Sequence, residues 1–110
     1  MNAKVIDVAL PRAAVVGLLK SVNVGLEVAG KRLPALMFGG VQLVVSQMYR
    51  KLNNGGDAVV LPIDDNLSIL VQVAKLDPKP DVQATAAIAI INAVKAVNDS
   101  NAAMEVVLLS

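Results

Sequence analysis

Apolar and polar positions along the chain repeat mainly at helical spacing. In residues 12–32, Val15, Leu18, Leu19, Val22, Leu26 and Ala29 fall in a stripe about 100° wide, with Arg12, Lys20, Asn23 and Glu27 opposite. Pro11 suits the first helical position, where a missing N–H costs nothing. Val22, Val24, Leu26 and Val28 also alternate as a half-buried strand would, and Gly25 and Gly30 weaken a helix. The wider stripe favours helix. Residues 34–52 give the clearest signal. Met37, Phe38, Val41, Val44, Val45, Met48, Tyr49 and Leu52 share an arc of roughly 140°, with Gln42, Ser46, Gln47, Arg50 and Lys51 outside it. These eight form the expected core or interface. Pro34 fits the first turn, and Asn53-Asn54-Gly55-Gly56 supplies a C-terminal stop. Gly39-Gly40 inside the helix costs about 1 kcal/mol per residue, which points to a close backbone neighbour or a kink.

Residues 58–76 carry two patterns at once. Leu67, Ile69, Val71 and Val73 alternate, and Ala58–Leu61 would pair with them in a hairpin across residues 62–66. Leu67, Leu70, Val71 and Ala74 equally repeat at helical spacing, with Asp65 as a cap and Lys75 and Pro78 marking the end. The period alone does not separate the two. Asp77-Pro78-Lys79-Pro80 reads as a rigid connector, and Asp81 as the N-cap of the next helix. That helix, residues 82–98, has a narrow polar stripe of Thr85, Asn92, Lys95 and Asp99 on an otherwise Ala-, Ile- and Val-rich surface. A helix apolar nearly all round is normally covered on most sides. Ser100 or Asn101 would then start a short last segment, residues 102–109. The fold expected is a mainly α, single-domain chain, 1–110, with three principal helices near 12–32, 34–52 and 82–98. The alternative is α+β with a hairpin in 58–76.

Composition sharpens this picture. The chain is 55% hydrophobic and 17% charged, where about 25% charged is usual. Such a chain has the means to build a core, so intrinsic disorder is excluded. It has too few charges to coat the remaining surface, so apolar patches are expected, and these mark a protein or membrane contact. With no Cys and no His, disulfides, thiolate metal sites and imidazole general bases are excluded.

Charge is distributed unevenly. Residues 1–56 hold seven cations against Asp7 and Glu27, a net +5; residues 57–110 hold three cations against seven acids, a net −4. Either the halves neutralise each other in one fold, or the basic half faces something anionic, or subunits meet basic to acidic. Lys31-Arg32 and Arg50-Lys51 bracket the uncharged span 33–49 and form the candidate basic patch. That span is at the lower length limit for crossing a bilayer, and its Gln, Ser, Pro and Gly residues make it a poor span. Its amphipathic face suits a packed or interfacial helix better. No secretory signal is visible, since Asp7 and Pro11 interrupt the apolar start. Cytoplasm or an assembled particle is the expected location.

Candidate chemistry is sparse. Gly25-Leu26-Glu27-Val28-Ala29-Gly30-Lys31 matches G-x-x-x-x-G-K, the phosphate-cradling loop. Arg32 stands where a Mg²⁺-binding hydroxyl belongs, and Glu27 would place negative charge in the cradle. Nucleotide or phosphate binding there is therefore the remote reading. Asp64, Asp65, Asp77 and Asp81 lack the spacing of a calcium loop and read as caps and turns. No ordered nucleophile and base are visible, so no enzyme and no cofactor is expected. The basic residues are too few for a nucleic-acid stripe and allow phosphate contacts at most. The function expected is structural: an assembly subunit of a multi-subunit particle such as a virion component, its partners itself or other subunits. A small membrane-associated protein using 33–52 against lipid is the alternative.

Overall fold

A computed structural model describes residues 6–109, and their side chains as far as Ser100. Lys4 and the Glu105 side chain, both counted in the charge split, lie outside what is described. The chain is mainly α, as the periodicity implies. The order is β1 (Ile6–Pro11), α1 (Arg12–Ala29), a 3-10 turn (Gly30–Arg32), α2 (Ala35–Asn53), β2 (Ala58–Ile63), α3 (Asp65–Ala74) and α4 (Val82–Leu109).

The two strands form an antiparallel ribbon in which Val8 faces Leu61 and Leu10 faces Val59. All four of these side chains are buried. Asp7, Ala9 and Val60 alternate to the outside, which is the period-2 pattern of a strand with one wet face. The ribbon corrects the hairpin alternative for 58–76. Ala58–Ile63 is a strand, but its partner is the N-terminal segment, not the residues that follow. Residues 65–74 are helix α3. The reason is local and tertiary together: the Asp64 carboxylate accepts from the Leu67 backbone N–H at 2.9 Å, and Leu67, Leu70, Val71 and Ala74 are all buried. The cap is thus Asp64 and not Asp65. A short apolar strand such as β1 at the start of the chain has no periodicity long enough to announce itself.

Pro11 and Pro34 each sit one position earlier than expected. They are N-caps with extended backbone, φ −57° ψ 143° and φ −58° ψ 147°, so neither interrupts an intrahelical bond. Asp81 caps α4 as expected, its carboxylate accepting from the Gln83 N–H at 2.6 Å. The helix it starts does not stop near residue 98 but continues unbroken to Leu109. The separate last segment is therefore not found.

α1 is the central element and touches both strands and the three other helices. Its Val15, Leu18 and Val22 are fully buried. Contact is close because glycine faces the neighbours. A Cβ on Gly25 would overlap the Val73 carbonyl oxygen of α3, and one on Gly17 would come 2.6 Å from Gln83 Cβ of α4. Gly40 of α2 meets Asn66 of α3 in the same way, at 2.7 Å from Oδ1, whereas Gly39 faces open space. The close backbone approach expected at Gly39-Gly40 therefore falls on Gly40 alone.

A pair of alanine substitutions separates these cases. Gly25→Ala forces α1 off α3 and should lower unfolding stability by about 3 kcal/mol. Gly39→Ala adds helix propensity without a clash and should raise it by about 0.5–1 kcal/mol. Urea denaturation of both variants beside the parent checks this. Equal effects would place the α1–α3 contact elsewhere.

Candidate interaction surfaces

The expected core arc of α2 divides in two. Val41, Val44, Met48 and Leu52 are buried, and Val45 packs against the core from its edge. Met37, Phe38 and Tyr49 are a correction: they stand 37%, 42% and 47% exposed. The cover on α2 comes mainly from α3, which meets it at Asn66 opposite Gly40. Every residue of α2 before Gly40 is exposed. An arc of about 140° is wider than one short helix can cover. Leu36, at 92%, and Leu43 add to the exposed apolar surface. They lie seven residues apart, on the side of α2 that was assigned to polar residues. The burial of the four core residues also narrows the idea of 33–52 lying against lipid: only its first turn and its outward side are free.

The four cations do not make one patch. Lys31 and Arg32 are exposed in the turn after α1, while Arg50 and Lys51 sit in the last turn of α2. Residues 35–49 of α2, about 22 Å of helix, lie between the two pairs. Lys51 is partly covered, and its Nζ donates to the Val60 carbonyl of β2. It therefore ties α2 to the ribbon.

The G-x-x-x-x-G-K match is overturned as a phosphate loop. Residues 25–29 are the last turn of α1, their N–H groups lie inside the helix, and Gly30 at φ 52° ends it. A phosphate cradle needs free N–H groups converging from a loop. The carboxylates hold structure together. Asp64 and Asp81 are caps, and Asp77 accepts from Ser21 Oγ at 2.9 Å and from the Lys79 N–H at 3.0 Å. Ser21 is the one buried polar residue among the described residues. Its bond ties α1 to the connector between α3 and α4. Among the described residues, no three acidic side chains cluster as a metal site would require.

No family model matches the chain, and no curated protein or solved structure is significantly similar to it. Its surfaces therefore carry the functional argument alone. Two are apolar. One is the apex where α1 turns into α2, with Val28 and Leu36 to Phe38. The other is α4, where Ala84, Ala87 and Ile91 are buried while Val82, Ala89, Ala93, Ala96 and Val97 are exposed. A shallow apolar recess lined by Ile6, Ala93, Val94, Val97 and Asn98 lies where α4 crosses β1. Arg12–Arg32 is long and apolar enough to cross a bilayer, but 44% of its most apolar window is buried inside the fold. That burial is what the core role of α1 requires.

The division of α2 has a direct test. Val41→Asp buries an unpaired carboxylate and should cost about 3 kcal/mol or more of stability. Phe38→Asp, at the exposed apex, should change stability by no more than about 1 kcal/mol. Thermal and urea melts compare them. A loss as large for Phe38→Asp as for Val41→Asp would mean that the apex is part of the core.

Proposed function

We propose that the chain is an assembly subunit, a structural protein that packs its uncovered helix surface against copies of itself in a multi-subunit particle. The observation that carries this is α4. It is 28 residues long, about 42 Å, and apolar on nearly every side, yet among its described residues, as far as Ser100, only Ala84, Ala87 and Ile91 on one side are buried. Helices of that composition are normally enclosed. Past Val94 the described side chains are mostly exposed, and an isolated helix of this length is marginal without packing. The stripe Ala89, Ala93 and Ala96 is small enough to let a second helix approach closely. The reading is non-catalytic: the carboxylates best placed for acid–base work are engaged in caps and in the Ser21–Asp77 bond.

Sedimentation velocity over the micromolar range tests the proposal. The parent chain should sediment as species heavier than 11.4 kDa. Ala93→Glu should shift it toward the monomer, because a charge in the contact is desolvated without a partner. A single 11.4 kDa species at every concentration overturns the assembly reading.

A further inference from the structure

We propose that the α1–α2 apex is a docking site for the surface of an anionic lipid bilayer. This uses a different surface from α4 and does not depend on assembly. At the apex Ala35, Leu36, Met37 and Phe38 are consecutive and exposed, so their side chains leave the helix about 100° apart and together surround its axis. Leu36 is 92% exposed, and Val28, in the last turn of α1 just before the bend, is 54% exposed. A partner helix or groove meets a stripe along one side of a helix. A tip that is apolar all round is covered on every side at once only by immersion, as at the acyl–headgroup boundary of a membrane.

The charges at the apex fit the same occupant. Lys31 and Arg32 are exposed in the turn that joins the two helices, against one exposed acid, Glu27, in the last turn of α1. No Asp or Glu occurs between Glu27 and Asp57, so the whole of α2 is free of acids. Pro34 begins α2 with no side-chain cap, and the positive end of the helix dipole therefore lies beside the two cations. Apolar side chains flanked by cations suit insertion among lipids whose phosphates carry the countercharge. A neutral bilayer would satisfy the apolar part alone, and a free anion the cations alone.

The chain has no Trp, so a single introduced one reports its own surroundings. Phe38→Trp should shift its emission to the blue when vesicles of phosphatidylcholine and phosphatidylserine are added, and much less with phosphatidylcholine alone. Tyr49→Trp, equally exposed but eleven residues further along α2, should not shift. In vesicle co-sedimentation, Lys31→Glu with Arg32→Glu should reduce the bound fraction to the level seen with neutral vesicles, as should high salt. Leu36→Asp should abolish binding while the circular dichroism melt stays that of the parent. Ala93→Glu should bind vesicles like the parent, which keeps this result separate from that of assembly. Absence of binding to anionic vesicles, or binding unchanged in the apex variants, overturns the proposal. So does a change in oligomer mass, without a change in vesicle binding, when Leu36 is replaced.

Discussion

The contact of α1 with α3 at Gly25 is the constraint from which most of the fold follows. With no side chain at Gly25, the helix backbone lies directly on the Val73 carbonyl. That closeness is available only to small residues, and this chain has almost no aromatic bulk, with Phe38 and Tyr49 its only aromatics. Once α1 and α3 are in contact, the remaining elements have few places to go. β2 is fixed to the start of α3 by the Asp64 cap, and it brings β1 across it. α2 packs on α3 with its Gly40 against Asn66. Ser21 then holds the exit of α3 to α1 through Asp77, which sets where α4 begins.

Polar groups in this chain are few, and those in the interior serve geometry. Ser21 is buried with its hydrogen bond made, and among the described residues no buried side-chain polar atom lacks a partner. A buried hydroxyl without a partner would cost more than the bond contributes, so such a bond acts chiefly by excluding other arrangements. The same scarcity shapes the outside. With 17% charged residues, the surface left over after folding is necessarily rich in Leu, Val and Ala. In this fold it is concentrated at one helical apex and along one long helix. The apex sits beside cations and far along α2 from the Lys51 tie to β2, whereas the α4 surface is flanked by Lys95 and Asp99 of both signs. The two surfaces therefore differ in what they can meet.

Much of the helical content is legible from residue spacing, because each long helix keeps its apolar side chains on one side for several turns. α1, α2 and the first part of α4 follow from Val15 to Leu26, from Val41 to Leu52, and from Asp81 onward. Caps are readable to within a residue: Asp81 is found where it is expected, and Asp64 replaces Asp65. The alternation in 67–73 misleads because five of those seven residues are apolar, and Leu67 and Val71 belong to both periods. The unbroken run of α4 to Leu109 was obscured by Ser100 and Asn101, which resemble a helix start but are tolerated within one.

The sequence by itself determined that the chain is mainly helical, that it forms no disulfide, and that it has more apolar surface than charge to cover it. These follow from composition and local period, which need no knowledge of what lies across the core. Only the tertiary structure decided that β2 pairs with the N-terminal strand, that Gly25 and Gly40 but not Gly39 meet a neighbouring helix, and that Met37, Phe38 and Tyr49 stay outside. Those outcomes depend on which elements meet across the core and how far each covers its neighbour. The length of one element set against another, brought together by distant parts of the chain, is not written in the period of either.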